Sequence, residues 1–312
     1  MLHPAIAGFS GAKIIINSET TTLYHKFCVV SKMVFFAPGY PVFMGTGSVF
    51  GDFCCRSDIF TYLCGMRKIT FIALLLVAMT ACTQRYESYT DVAQVNGVEL
   101  FYAAEGSGKP VILIHGNGGS HNDMETTQRE LAQDGYMVYA LDSRGQGANK
   151  PLEEYHYKDM ATDVYEFIKA KGLDKPAVFG FSDGGIVALQ LEVMYPGTLG
   201  AIATGGANIF VEGSLIPSFA EEFLAEPNPN PLTRMMQVEP TMTPQDMQTI
   251  NTPSLIMAGE YDLILEDHTR LIASNIPGAE LKIIPGEDHG SYICNSSKLS
   301  PILLDFFKSI GY

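Results

Sequence analysis

Six short apolar runs, separated by helical patterns, set the strongest limit on how this chain can fold. Because each run is apolar at consecutive positions rather than alternate ones, it is typical of a strand covered on both faces of a sheet. The runs lie in PVILIH, GYMVYALD, PAVFGF, LGAIAT, PSLIMAG and AELKIIPG. Strands that alternate with helices predict an α/β fold with a doubly wound, mostly parallel sheet.

Two segments depart from this alternation. Asn96-Gly97 joins two alternating runs and is typical of a two-residue hairpin turn, so we expect an antiparallel strand pair at a sheet edge. Residues 207–251 form a long insertion with clustered prolines and a predicted helix cap at Thr243. Since this insertion also contains apolar residues such as Phe219, it predicts a small helical lid over the sheet edge.

An export signal is indicated by the segment MRKITFIALLLVAMTACTQ, which starts at Met66. Two cations precede an apolar run of about eleven residues, which is too short to cross a bilayer core of about 30 Å as a helix. These features predict a signal peptide over residues 66–81. The ending MTAC resembles the lipobox of bacterial lipoproteins, which implies lipidation at Cys82. A simple secretory signal or a buried apolar helix is the alternative.

The position of this signal sets the expected domain plan. A signal peptide belongs at the start of a protein, so we expect Met66 to be the initiator and residues 1–65 to be a spurious upstream extension, with a genuine N-terminal extension as the alternative. Residues 82–90 read as a polar tether, and residues 91–312 as the folded domain with its lid. Lipid on Cys82 would hold the domain at the bacterial cell envelope, at the outer membrane or periplasmic face of a two-membrane cell.

Charge and cysteine content exclude several classes of function. The first 82 residues carry six Lys/Arg and three Asp/Glu, whereas the remainder carries fourteen and thirty-one. An acidic body without a basic stripe is repelled by nucleic acid, so we expect no nucleic-acid partner. Beyond Cys82 the only cysteine in the sequence is Cys294, and no Cys/His pattern predicts a metal site. The oligomeric state is not indicated.

Reactive residues follow the carboxyl ends of several predicted strands. The segments GNGGS, SDGG, EYD and EDHG come directly after PVILIH, VFGF, LIMAG and LKIIPG. In open α/β sheets, ligands bind beyond the carboxyl ends of the strands. The sequence therefore places a serine, an acid and a histidine, in that order, where a ligand would bind.

The motifs in these loops resemble those of the α/β-hydrolases, from about Val92 to Tyr312. The segment from Gly180 to Gly184 fits G-x-S-x-G, the nucleophile elbow between a strand and a helix. HGNGG, starting at His115, is similar to the oxyanion loop of the family. DSRGQG, starting at Asp142, resembles its D-x-R-G-x-G turn, although Asn149 stands where the family pattern often continues to a serine.

This resemblance implies roles for individual residues. Ser182 would be the nucleophile, His289 the base and Asp262 the acid that orients the histidine. The backbone N–H groups of Asn117 and Asp183 would form the oxyanion hole. No metal and no organic cofactor would be needed.

Several neighbouring residues compete with these assignments. Glu260 and Asp267 lie close to Asp262 in the sequence and are alternative acids. We expect the carboxylate of Asp183 to stabilise the N-terminus of its own helix. His115 is expected to be a structural residue of its loop, and His121 and His268 are expected on the surface or in helix caps.

The sequence thus predicts a serine hydrolase that cleaves a carboxylic ester or related acyl bond of a small molecule through an acyl-enzyme. A C–C bond hydrolase or enol-lactonase with the same triad is an alternative. A non-catalytic surface lipoprotein with a hydrolase fold is another.

Overall fold

The computed structural model describes residues 87–312, and the predicted upstream extension, signal peptide and Cys82 lie outside this range. The strands are β1 Glu87–Val95, β2 Val98–Gly106, β3 Lys109–Ile114, β4 Tyr136–Leu141, β5 Ala177–Phe181, β6 Ala201–Gly205, β7 Ser254–Tyr261 and β8 Glu280–Asp288. The helices are α1 Glu125–Gln133, α2 Tyr157–Lys171, α3 Asp183–Met194, α4 Pro217–Leu224, α5 Pro231–Val238, α6 Pro244–Met247, α7 Glu266–Asn275 and α8 Leu299–Ile310. A 3₁₀ turn, His121–Met124, precedes α1.

All of these strands belong to one sheet with the order β1-β2-β4-β3-β5-β6-β7-β8. Strand β2 is antiparallel to both β1 and β4, and the remaining neighbours are parallel. The predicted doubly wound, mostly parallel sheet is therefore confirmed. The chain leaves β3 for β4 on one side and returns to β5 on the other, which makes the carboxyl end of β3 a switch point where ligands bind in such folds.

Helices cover both faces of the sheet, which explains the continuous apolar runs. In β3, Ile112 and Ile114 belong to a core cluster that also contains residues of α2, α3 and α7, whereas Val111 and Leu113 belong to the cluster on the other face, with residues of α1 and α8. Successive side chains of a strand point to opposite faces, so a strand between two helical layers is apolar at every position.

The predicted hairpin is also confirmed. Asn96 and Gly97 both have positive φ, at 45° and 78°, and Val95 pairs with Val98 across the turn. Two consecutive positive φ angles define a type I′ turn, whose twist matches that of the flanking strands.

One predicted boundary is wrong. We expected a tether over residues 82–90, but β1 begins at Glu87, and Glu87 to Thr90 pair with Gly106 to Ala103 of β2. These residues lie at an exposed sheet edge, so they are polar and show no alternation. Main-chain hydrogen bonds to β2 fix them without any buried side chain.

The insertion between β6 and β7 contains α4, α5 and α6. Thr243 caps α6 as expected, with its side chain accepting a hydrogen bond from the Asp246 N–H. The insertion is tied to the segment after β7 by the Ile216 N–H, which donates to the Leu263 carbonyl at 2.9 Å. Among residues 87–312, no helix has the length and apolar character needed to cross a membrane.

Candidate active site

Ser182 lies on a sharp turn between β5 and α3. Its φ is 52° and its ψ −115°, a backbone conformation that is strained for a residue with a side chain. The flanking glycines cannot be replaced by larger residues, because neighbouring backbone atoms occupy the space that a side chain would need. A Cβ on Gly180 would lie 2.1 Å from the Gly184 carbonyl oxygen, and one on Gly184 would lie 2.3 Å from the Ile114 oxygen.

The structure brings the three predicted reactive residues together. His289 follows β8, and its Nε2 lies 3.0 Å from the Ser182 Oγ. Its Nδ1 lies 2.6 Å from Oδ1 of Asp262, which follows β7. An ionised carboxylate can only accept, so Nδ1 carries the ring proton and Nε2 is left to accept the hydroxyl proton of Ser182.

Backbone donors hold Asp262 in place. The N–H of Ile264 donates to Oδ1 at 3.0 Å and the N–H of Gly259 donates to Oδ2 at 3.1 Å. The competing acids are directed elsewhere. Glu260 accepts a hydrogen bond from the Gly286 N–H, and Asp267 lies in the first turn of α7.

The loop after β3 packs directly against the turn that bears Ser182. A Cβ on Gly116 would lie 3.3 Å from the Ser182 Cβ. The Asn117 side chain reaches the residue after the serine, with its Nδ2 donating to Asp183 Oδ2 at 2.8 Å. Within residues 87–312, the backbone N–H groups of Asn117 and Asp183 donate no hydrogen bond of their own. Both predicted oxyanion donors are therefore without a protein acceptor in this part of the chain.

The segment DSRGQG supports this loop from the side. Gln146 Oε1 accepts a hydrogen bond from the Gly118 N–H at 2.7 Å. Asp142 accepts one from the Ala148 N–H and another from the His121 N–H. Asn149, the departure from the family pattern, donates to the Asp142 carbonyl and accepts from the Phe101 N–H. Its role is to fasten this turn to β2.

The other histidines in question have structural positions. His115 is buried, which lowers its pKa, and it accepts a hydrogen bond from the Ser143 N–H while its Nδ1 contacts the Gly116 carbonyl. His121 is partly exposed and bonds to Asp142, in line with expectation. The expectation for His268 is wrong. It is buried, accepts from the Ile209 N–H, and has a pKa lowered by burial to about 4.

A small cavity of about 50 Å³, partly open to solvent, adjoins Ser182 and His289. Its apolar wall comes mainly from the insertion and from the segment after β7, and consists of Val211, Leu215, Phe219, Phe223, Met236, Leu263 and Ile264. The remaining lining residues, Tyr157, Asp183, Asn208 and Glu239, form a polar side.

This polar side is held together by hydrogen bonds that the sequence did not predict. The Tyr157 hydroxyl donates to Asp183 Oδ1 at 2.8 Å, and the Tyr157 N–H donates to Glu239 Oε2 at 3.1 Å. Glu239 Oε1 also lies 2.6 Å from His156 Nδ1. Tyr157 and Glu239 belong to no recognised motif, so no local signal in the sequence could have assigned them to the site.

Comparison with known proteins supports the fold. A family profile of the α/β hydrolase fold matches residues 109–248. The human serine hydrolase BPHL is 26% identical over 246 residues, which cover 69% of this chain and 84% of that protein.

Two solved structures show the same architecture. An esterase from Exiguobacterium antarcticum has a TM-score of 0.61 at 20% identity and covers 70% of this chain and all of its own. A meta-cleavage product hydrolase from Pseudomonas fluorescens IP01 has a TM-score of 0.59 at 19% identity, covering 70% of this chain and 97% of its own. Taken with the sheet order and the turn at Ser182, these similarities show that the chain has the α/β-hydrolase fold and that several of the proteins it resembles are named as hydrolases.

Proposed function

We propose that this protein is a serine hydrolase that cleaves a carboxylic ester or related acyl bond through an acyl-enzyme on Ser182. The observation that carries the proposal is the alignment of three side chains. Ser182 Oγ lies 3.0 Å from one nitrogen of His289, and the other nitrogen lies 2.6 Å from a buried carboxylate of Asp262. This arrangement activates a serine hydroxyl, which is a weak nucleophile by itself.

The geometry supports a two-step reaction. In the first step His289 Nε2 takes the Ser182 proton as Oγ bonds to the substrate carbonyl carbon, and the carbonyl oxygen becomes an oxyanion. His289 then gives that proton to the leaving alcohol as the ester C–O bond breaks. In the second step water replaces the alcohol, His289 takes a proton from the water, and the acid is released as Ser182 regains its proton.

Two groups stabilise the charges that develop. The buried carboxylate of Asp262 keeps the ring of His289 in the required orientation and stabilises its cationic form. The free backbone N–H groups of Asn117 and Asp183 would donate to the oxyanion. Losing one such donor typically costs about 3–4 kcal/mol of transition-state stabilisation.

The cavity favours a particular range of acyl groups. Its apolar wall, which includes Phe219 and Phe223, suits a compact hydrocarbon portion. The lining contains two carboxylates, Asp183 and Glu239, and neither lysine nor arginine. Neutral substrates are therefore favoured over anionic ones.

Hydrolysis of a C–C bond or of an enol-lactone is the second candidate. The structural similarity to a protein named as a meta-cleavage product hydrolase favours it, because one fold can carry several chemistries. A panel of p-nitrophenyl esters, lactones and vinylogous diketones separates the two candidates by which class is turned over.

Labelling of the active serine is the direct test. We expect a fluorophosphonate probe to label the wild-type protein at Ser182 and to leave Ser182→Ala unlabelled. Circular dichroism should show that both proteins are folded. If the folded wild type reacts neither with the probe nor with short activated esters, the protein is a non-catalytic member of its fold class.

Attachment to the cell envelope through lipid on Cys82 is the other part of the proposal. It rests on the sequence MTAC after a short apolar run. Cells fed a radiolabelled fatty acid should incorporate label into the wild-type protein and not into Cys82→Ser. Equal labelling of both proteins would contradict lipidation at this residue.

A further inference from the structure

The residue after the proposed nucleophile carries a buried carboxylate. Asp183 opens α3 and is 4% exposed. We expected this carboxylate to stabilise its own helix, but the structure turns it towards other segments. Oδ1 accepts a hydrogen bond from the Tyr157 hydroxyl and Oδ2 accepts one from Asn117 Nδ2, both at 2.8 Å.

Among residues 87–312, no lysine or arginine pairs with this carboxylate. Burial raises the pKa of Asp183, although the hydrogen bonds from Asn117 and Tyr157 and the positive charge of protonated His289 oppose that shift. Burying a carboxylate is costly, and two hydrogen bonds from neutral donors offset only part of that cost. The side chain of Asp183 nevertheless joins two segments of the site, because its oxygens accept from the loop after β3 and from α2.

The loop that contains Asn117 is rich in glycine, and Asp183 gives it a fixed contact. Asn117 lies between Gly116 and Gly118, and Gly119 follows. Glycines give a loop more backbone freedom than other residues. The Gly118 N–H and the Gly119 N–H are bonded to Gln146 and to the Gly116 carbonyl, but the Asn117 side chain is bonded to Asp183.

We propose that Asp183 is a positioning residue for the oxyanion hole. Its carboxylate holds the Asn117 side chain and thereby fixes the direction of the Asn117 backbone N–H, while Tyr157 holds the carboxylate. Preorganised donors stabilise an oxyanion more than mobile ones, because they need no reorientation as charge develops. This inference rests on the proposed serine hydrolase function.

The test compares Asp183→Ala, Asp183→Asn and Asn117→Ala in the full-length protein, with p-nitrophenyl acetate as substrate. Asp183→Ala should lower kcat by about 10²-fold, as for a misplaced catalytic group, with KM changed by less than about threefold. Asp183→Asn should restore most of kcat, because an amide oxygen can accept from Asn117 and its NH₂ can donate to the Tyr157 oxygen.

A double-mutant cycle compares kcat in the two single variants and in the double variant, and a general loss of stability would not produce the coupling that it measures. If Asp183 acts through Asn117, the Asn117→Ala variant should lose kcat by a similar factor, and adding Asp183→Ala to it should cost little more. Should Asp183→Ala fail to fold, Asp183→Asn and Asn117→Ala still test the contact.

Two results would overturn this inference. One is an unchanged kcat in a folded Asp183→Ala. The other is a rise in KM alone, with Asp183→Asn as impaired as Asp183→Ala, which would mean that the negative charge itself contacts the substrate. Fluorophosphonate labelling of the wild type is independent of both, so it separates failure of this inference from failure of the proposed function.

Discussion

Gly206 lies so close to His289 that a Cβ on it would be 2.7 Å from the imidazole ring. The same Cβ would be 3.2 Å from Asp262 Oδ2. Gly206 follows β6, the strand between the one that precedes Ser182 and the one that precedes Asp262. The absence of a side chain at this position therefore creates the space in which the serine, histidine and acid meet.

Gly206→Ala should displace His289 and lower kcat/KM by about 10²-fold or more, since a displacement near 1 Å can have that effect. Gly213→Ala is the matched control. Both glycines have positive φ, at 63° and 70°, so both variants carry similar backbone strain, but a Cβ on Gly213 would contact nothing. Ester hydrolysis and thermal unfolding should be measured for both. Equal activity in the two variants would show that the contact of a Cβ at position 206 with His289 does not lower kcat/KM.

Asp262→Asn should lower kcat by a factor on the order of 10³–10⁴ and leave the fold intact, because an amide no longer enforces the ring tautomer that His289 needs. Glu260→Gln is the control, since Glu260 is an exposed neighbour that bonds to the Gly286 N–H. The kcat of each variant with an activated ester shows whether Asp262 or Glu260 is the acid that orients His289. A larger loss in Glu260→Gln would move the role of the acid to that residue.

His268 should make stability fall as the pH is lowered. Its pKa is about 4 in the native protein because of burial, whereas in an unfolded chain it is about 6.5. Below pH 6.5 the unfolded state therefore binds a proton that the native state does not bind, and this difference lowers the stability of the fold. The loss of stability is complete below about pH 4. The loss amounts to about 3 kcal/mol of unfolding free energy, since each pKa unit corresponds to about 1.4 kcal/mol.

Urea unfolding of the wild type and of His268→Gln at several pH values measures this contribution. Glutamine can still accept from the Ile209 N–H but does not titrate, so the variant should approach the stability of the wild type as the pH falls. Parallel curves for the two proteins would exclude His268 as a source of the acid sensitivity.

Glu239 should fasten the insertion to α2 more firmly at low pH. Its hydrogen bond to His156 raises the pKa of that histidine. Because the pKa of His156 is higher in the folded protein than in the unfolded chain, the contact contributes its full stability at a pH below the pKa of an unfolded histidine. That contribution is lost as the pH rises through the pKa of His156 in the folded protein. Proteolytic cleavage within residues 225–230 should therefore accelerate as the pH rises.

Glu239→Gln should remove most of this pH dependence, because an uncharged amide gains little from protonation of His156. Glu222→Gln on exposed α4 is the control and should retain it. A similar pH dependence in Glu239→Gln would place the sensitivity elsewhere in the insertion.

The parts that the sequence predicted are those encoded by local patterns. Continuous apolar runs indicated the strands, and Asn96-Gly97 indicated the hairpin. The glycines around Ser182 indicated a sharp turn after β5. Because parallel strands end at the same edge of a sheet, the order of the loops was enough to bring Ser182, Asp262 and His289 together in the prediction.

The parts that the sequence did not predict depend on contacts between distant segments. Asp183 bonds to residues 66 positions earlier and 26 positions earlier in the chain, and neither contact leaves a local pattern. His268 is buried because Ile209 and Phe210 of the insertion lie over it. The exposed start of β1 lacks the alternation that would distinguish a strand from a polar linker.

The separation of Ser182 and His289 by 107 residues has a consequence for biogenesis. The histidine follows β8, which among residues 87–312 pairs only with β7, so the proposed nucleophile lacks its base until this last strand has joined the sheet. Under the proposed function, a nascent chain that has emerged only as far as the insertion would contain the serine and both predicted oxyanion donors but not the base. Such a chain would not yet hydrolyse acyl compounds at the site of synthesis.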